Sequence, residues 1–339
     1  MEIRVAEEND FDEIVSFYNK WNQDNRTLSR LVWQFYSYWP NKGFHVIAKE
    51  DNQIIGIQGL MPFPMTMNGI VQLTGKSEDT LVSPKHRGRQ ILKQLYTLVF
   101  QEAKARGYLF IWGFTYAVKP FRKIGFETPF DQYQGLIALK IKYSFIYLKK
   151  ISKNNTKLRE LKILGLCVLS RMKFLVSSFK FGSRSVEFSE CNIEEYLIHG
   201  QQSNQELSIA FNQEYLNWKL NQIPEPAKVR CFKMASRGKT GVLSFGMINN
   251  NVGYLLNISG DFDPRMVNHA IQEACRYLNI STLRTWVFEH NQFSMDNKRL
   301  LEKSGFLTIK RGMTCVFFNL GENIESKQLK FDMFASEIP

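Results

Sequence analysis

The chain has 339 residues, 44% hydrophobic and 22% charged, enough apolar material for two packed domains; a disordered, collagenous or disulfide-stapled protein is excluded. Its 44 basic and 32 acidic residues give a net charge of +12, a balance that suits nucleic acid, a membrane surface or an anionic cofactor without choosing among them. Acids at Glu2, Glu7, Glu8, Asp10, Asp12 and Glu13 stand where a signal peptide needs a basic and then apolar run, and no uninterrupted apolar stretch approaches ~18 residues, so a cytoplasmic location is expected.

In chain order the pattern opens with a short strand from Ile3 and a helix with an Asx cap and an acidic first turn. Trp33 and Pro40 follow, then strands at 44–48 and 54–60. A strand at 79–82 runs into a helix at 89–106, and a strand at 108–114 leads to a short helix and the dipeptide Gly125-Phe126. The series returns from Val186: strand, Asx cap, acidic turn, Trp218 and Pro224, strands at 230–234, 241–248 and 254–258, a helix at 264–278, a strand at 282–288, a short helix and Gly305-Phe306. Trp33 to Gly125 spans 92 positions and Trp218 to Gly305 spans 87. The chain therefore reads as two copies of one α/β unit, with expected domains at 1–142 and 186–339.

The connector, 143–185, carries the charge. Residues 140–184 hold twelve basic side chains (Lys140, Lys142, Lys149, Lys150, Lys153, Lys157, Arg159, Lys162, Arg171, Lys173, Lys180 and Arg184) against Glu160 alone, so the rest of the chain is close to neutral. Leu158, Leu161, Leu164, Cys167 and Val168 recur at helical spacing, which predicts an amphipathic helix packing that stripe against the domains. Contact with an anionic membrane surface is the alternative, making the protein peripheral to the membrane. Nucleic acid is disfavoured, because aromatics are not interleaved with the bases. The five cysteines form no CxxC or Cys/His pairing, so neither structural zinc nor a disulfide framework is expected.

Chemistry concentrates between Asp79 and Leu95. A strand ends at Pro84, a basic turn containing Gly88 follows, and a helix opens near Arg89 with Ile91, Leu92, Leu95, Leu98, Val99 and Ala103 on its buried face. Such a turn aims free backbone N–H groups and the positive end of the helix dipole at one point, a place for phosphate or pyrophosphate.

The order strand, V-x-P-x-x-R-G, helix, strand, short helix and Gly-Phe resembles the GNAT superfamily of acyl-CoA-dependent N-acyltransferases over residues 1 to about 140, and the repeat extends the fold to about residue 320. The repeated Trp-to-Pro pattern is similar to bacterial tandem members, some of which resemble enzymes of surface-polysaccharide or cell-wall work. The resemblance implies two tandem GNAT-like domains, each a mixed sheet flanked by helices, of which only the first binds coenzyme. It implies that Arg87, Gly88, Arg89, Gln90, Ile91 and Leu92 cradle the coenzyme A pyrophosphate and that the preceding strand, with main-chain N–H near Leu81 and Val82, holds the pantetheine arm and polarises the thioester carbonyl. Gln90 stands where the family has glycine and Leu92 where it has glycine or alanine. At a position needing φ > 0 such a side chain costs roughly 1–2 kcal/mol.

The family's general acid is a tyrosine four residues before Gly-Phe; here that residue is Phe121, and Tyr116 is the nearest substitute. The base is expected from Glu78 or Asp79, of which strand alternation lets at most one point into the cleft. His86, beside the turn, reads as an exposed loop histidine. In the second copy Gly260-Asp261-Phe262-Asp263-Pro264 replaces the basic turn and Leu301 the tyrosine; its aspartates repel a pyrophosphate, leaving that copy to shape the acceptor pocket. The expected activity is transfer of a short acyl group from acetyl-CoA to an amine of a small molecule or cell-surface precursor by direct attack, without metal. A non-catalytic scaffold and an aminoacyl-tRNA-dependent cell-wall transferase are the alternatives.

Overall fold

The computed structural model describes residues 1–22, 25–37, 43–152, 156–181, 186–199, 207–249, 251–321 and 324–335; Pro40, Lys153, Arg184 and the Lys180 side chain lie outside them. In chain order the elements begin β1 (Glu2–Val5), α1 (Phe11–Asn22), α2 (Leu28–Phe35), β2 (Phe44–Glu50), β3 (Gln53–Met67), β4 (Ile70–Val82), α3 (Ile91–Ala105) and β5 (Phe110–Thr115). They continue with α4 (Val118–Lys123), β6 (Asp131–Ala138), α5 (Ile141–Lys150), α6 (Lys157–Phe181), β7 (Glu187–Glu190), α7 (Ile193–His199), β8 (Ser208–Ile209) and α8 (Gln213–Asn221). The chain closes with β9 (Lys228–Ser236), β10 (Lys239–Asn249), β11 (Val252–Gly260), α9 (Pro264–Tyr277), β12 (Thr282–Val287), α10 (Gln292–Lys303) and β13 (Leu307–Asn319).

The chain folds into two compact units that interleave along the sequence. The first comprises Met1–Phe130, Gln205–Pro224 and Met313–Leu329; the second comprises Asp131–Asn204, Glu225–Gly312 and Lys330–Pro339. The first unit has strand order β1-β2-β3-β4-β5-β13, with β8 beside β3, and the second has β7-β9-β10-β11-β12-β6. In each, one parallel pair, β4 with β5 or β11 with β12, sits in an otherwise antiparallel sheet. The two mixed sheets are therefore copies of one design, as the repeat predicts, but each takes its last strand from the segment that follows the other repeat, β6 after the first and β13 after the second. The linear boundaries near 142 and 186 thus differ from the compact units, because β6 pairs with β12 and the end of β13 pairs with β5. Neither exchange leaves a local signal.

The observed strands outrun the expected ones: the strand expected at 79–82 starts at Ile70, because Ile70 to Met67 closes a hairpin whose ladder runs through Pro62 and Pro64. The α3 stripe Ile91, Leu95, Tyr96, Val99 and Ala103 is buried against β2 and β3, and the α9 stripe Met266, Val267, Ala270, Ile271 and Ala274 repeats it in the second unit. The two repeat tryptophans meet in the first unit. Trp33 and Trp218 stack with ring centroids 4.7 Å apart, and each indole N–H donates to the other residue's carbonyl, at 3.1 and 2.8 Å. In α6 the expectation fails: of the predicted buried stripe only Cys167 is buried, while Leu158, Leu161, Leu164 and Val168 are exposed. The helix packs instead through Cys167, Ser170, Phe174 and Ser177, small enough apart from Phe174 to bring its backbone close to β6.

Candidate active site

Strands β4 and β5 pair only at Gly75 with Ile111 and Lys76 with Trp112. One position further, a Cβ on Gly113 would lie 2.9 Å from the Ser77 carbonyl oxygen, so only glycine lets the strands pass there before they part. Past this fork β4 continues to Val82 and β5 to Thr115. Against β3, Ile57 faces Leu81 while Gly59 faces Glu78, so Asp79 and Thr80 share one partner position: a β-bulge, with Asp79 at φ 56°. Gln58 fills the bulge, its amide nitrogen donating to the carbonyls of Gly59 (2.7 Å) and Glu78 (3.1 Å) and its oxygen accepting from Thr80.

The opened strands wall a cleft of about 1290 Å³. Leu81, Val82 and the turn through His86, Arg87, Gly88, Gln90, Ile91 and Leu92 line it, as do Phe114 to Ala117 and Phe121, Tyr18 and Asn22 of α1, and Met313 and Val316 of β13. The bulge corrects the alternation expectation. With Asp79 in the left-handed region the two-residue period breaks, and both Glu78 and Asp79 line the cleft.

Their environments differ. The Asp79 side chain is only 4% exposed; it is ion-paired with Arg26 and lies 3.1 Å from His45 Nε2, while His45 Nδ1 lies 2.8 Å from the Tyr36 hydroxyl. An ionised carboxylate only accepts, so His45 donates from Nε2 and accepts the Tyr36 O–H at Nδ1. Burial pushes the Asp79 carboxyl up, but the Arg26 charge and the His45 hydrogen bond outweigh it and hold it below the usual carboxylate range. Burial lowers His45 against the pull of Asp79, leaving a neutral imidazole. Glu78 is half-buried and paired with the buried Lys76. Of the two carboxylates, Glu78 is the one with an accessible face.

Ser83 N–H bonds to the Ile55 carbonyl at 2.9 Å, so alternation turns the Val82 N–H away from β3 and toward the fork. Gly88 has φ 87°, with nothing within 4 Å of where a Cβ would stand. Gln90 takes φ 59° as the residue before α3 and places no side-chain cap on the helix. The first α3 bond runs from Gln94 N–H to the Gln90 carbonyl, leaving the N–H groups of Ile91, Leu92 and Lys93 without acceptors inside the helix. Of the departures from the glycine pattern, Gln90 carries the left-handed strain of roughly 1–2 kcal/mol; Leu92 is helical and packs at the core edge. Arg89 is held by Glu50 at 2.8 Å, with His86 3.6 Å from the same carboxylate. Arg87 donates Nε to the Val82 carbonyl at 3.3 Å and has no acid partner among the described residues.

Phe121 is a core residue, edge-on to Tyr96 and Phe126 at 5.6 and 5.3 Å. Tyr116 stands at the rim, 77% exposed. Sequence reasoning missed Tyr96, whose buried hydroxyl lies 2.6 Å from Ser77 Oγ and 3.3 Å from Thr80 Oγ1. The signal was a tyrosine on an apolar helix face, whose hydroxyl needs a partner. It also missed Tyr36, Arg26 and His45, the last two lying 53 and 34 positions from Asp79.

The second repeat closes the equivalent place. Asp263 caps α9, accepting from the N–H groups of Arg265 (2.8 Å) and Met266 (3.1 Å). At its strand fork the Thr285 hydroxyl donates to the Leu255 carbonyl at 2.8 Å.

A mixed sheet with one forked parallel pair, duplicated along the chain, with an uncapped helix at the fork of the first copy and a capped one in the second, defines a tandem acyltransferase-type fold. Residues 2–128 match the family described as acetyltransferase (GNAT) domain. Among solved structures, a probable N-acyltransferase from Enterococcus faecalis V583 superposes with a TM-score of 0.60 at 11% identity, over 94% of this chain and 72% of its own. A GCN5-related N-acetyltransferase from Anabaena variabilis ATCC 29413 gives 0.57 at 10%, over 94% and 73%. A tandem GNAT protein from the clavulanic acid biosynthesis pathway gives 0.58 at 9%, over 95% and 99%. At such identities the likeness is one of fold. No curated protein matches the chain.

Proposed function

We propose that the protein is an N-acyltransferase that moves an acetyl or other short acyl group from coenzyme A to an amine of a small molecule or cell-surface precursor. The carrying observation is the uncapped start of α3 at the β4/β5 fork, with three free N–H groups, open space at Gly88 and Arg87 beside them. These residues suit a pyrophosphate: Arg87, Gly88, Arg89, Gln90, Ile91 and Leu92 would hold it, and the unpaired edge of β4 at Leu81 and Val82 would hold an extended arm. Bound coenzyme supplies the acyl group as a thioester.

Glu78 takes the proton from the substrate ammonium, because only the neutral amine attacks. The Val82 N–H, turned away from β3, would donate to a thioester carbonyl oxygen as it gains charge. Asp79, locked by Arg26 and His45, fixes the bulge and thereby the direction of Glu78. Tyr116, at the rim of the cleft, would return a proton to the coenzyme sulfur as it leaves. Replacing Glu78 by Gln is expected to lower kcat about 10²–10⁴-fold with little change in donor binding.

Calorimetric or thermal-shift titration with acetyl-CoA tests the donor. Saturable stabilisation of about 2.7 kcal/mol is expected at a hundredfold excess over Kd, and Arg87→Glu should weaken it. No shift in the wild type overturns the coenzyme; an equal shift in both proteins moves the site away from the turn.

A further inference from the structure

Helix α6 turns its apolar side outward. Cys167, Ser170 and Phe174 face the second unit's interior: the Ser170 hydroxyl accepts from the Ala138 N–H and donates to the Leu136 carbonyl, both at 3.0 Å, and Phe174 joins the core of Val267 and Ile271. At about 100° per residue the opposite face carries Leu158, Leu161, Leu164, Val168, Met172 and Phe179, all exposed, with Phe179 at 83% and Leu161 at 66%. Lys162 and Lys173 run along one margin of this face, Lys157 and Arg171 along the other. The one acid of the helix, Glu160, is paired with Lys149 of α5 at 2.7 Å. A 25-residue helix is about 37 Å long, so the apolar strip exceeds the scattered exposed leucines normal for a soluble surface.

We propose that α6 docks the protein on an anionic lipid surface, lying in the plane of the bilayer with its apolar face at the boundary between headgroups and acyl chains. Charge decides the occupant. A second copy of this chain would bring its own lysines against these, whereas anionic headgroups complement both basic margins while the strip enters the apolar layer. The helix lies on the membrane and does not cross it: among the described residues no helix is long and apolar enough to span. On α5, Tyr143 and Ile146 are exposed as well.

Co-sedimentation of the full chain with vesicles tests this without reference to acyl transfer. Binding is expected to vesicles of phosphatidylcholine mixed with phosphatidylglycerol, weaker with added salt, and not to phosphatidylcholine alone. The triple variant Leu161→Glu/Met172→Glu/Phe179→Glu should lose binding with an unchanged thermal melt, since these side chains are exposed. Lys162→Gln and Arg171→Gln should each weaken binding about fivefold. Failure to bind anionic vesicles overturns the proposal, as does binding indifferent to these variants. It is also overturned by a concentration-dependent dimer that the apolar variants abolish while vesicles stay unbound; the face would then be a self-association surface.

Discussion

Helices α3 and α9 begin at equivalent points of the two repeats, yet one is open and the other closed. Before α9, Asp263 accepts from two backbone N–H groups, supplying within the chain the negative charge that a helix N-terminus attracts. Before α3, Gln90 sits in the left-handed region with no cap, and Arg87 of the same turn has no acid partner among the described residues. The forks differ in the same sense: Gly113 leaves room where Thr285 bonds across. A helix start left uncapped forgoes about 1 kcal/mol of local stability and is recoverable only when a ligand supplies the anion. One repeat leaves its helix start open and the other satisfies it from within the chain.

The bulge below the open site should show the largest effect. Asp79→Asn keeps the size and the tolerance for positive φ, but leaves Arg26 buried without its counter-charge; a loss of about 3–5 kcal/mol is expected in urea unfolding. If the loss is below about 1 kcal/mol, the ion pair does not hold the bulge. The pH dependence reports the same cluster. The folded pKa of His45 is depressed by burial, so below its unfolded value of about 6.5 the unfolded chain takes up a proton that the native state refuses. Stability should therefore fall as pH drops below about 6.5, with a slope of at most about 1.4 kcal/mol per pH unit, and His45→Gln should remove that part of the slope. The depressed Asp79 carboxyl adds a second loss only below about pH 4, as pH falls toward its folded value.

The duplication and the turn were legible in the sequence because each is local. The Trp33 and Trp218 series returns in order, and Arg87-Gly88 sits between a strand and a helix. What stayed hidden depends on partners far apart in sequence. Trp33 and Trp218 were visible as a repeat but not as a stacked pair 185 positions apart. The Asp79 cluster gathers Tyr36 and His45 from separate elements, and no spacing rule announces a left-handed aspartate inside a strand. The α6 face was misread because helical periodicity gives the angular width of an apolar stripe but not which side meets the core. Ser170 and Ser177 were the overlooked clue, since small polar residues let a helix approach β6 closely while leucines would hold it off.

Opening the closed copy gives a smaller effect. Asp263→Ala should cost about 1 kcal/mol of stability through the lost cap. It should not create a second response to acetyl-CoA, because Thr285 still bridges the fork. Two binding events in calorimetry of this variant would show that capping alone separates the repeats.

The smallest effect lies at Gln90. Its left-handed backbone costs roughly 1–2 kcal/mol relative to glycine, and a glycine gives back about 0.5–1 kcal/mol through the greater freedom of the unfolded chain. Gln90→Gly should therefore raise stability by about 0.5–1 kcal/mol in chemical unfolding. Because the same change removes a side chain beside the free N–H groups of α3, acetyl-CoA should bind at least as tightly as to the wild type. Weaker binding with a stabilised fold would mean that the Gln90 side chain itself touches the anion. The left-handed strain would then be the means of presenting a contact at the open repeat, and the contrast with Asp263 would become one of two side chains serving opposite ends: one satisfying the helix from within, the other helping it take a ligand from outside.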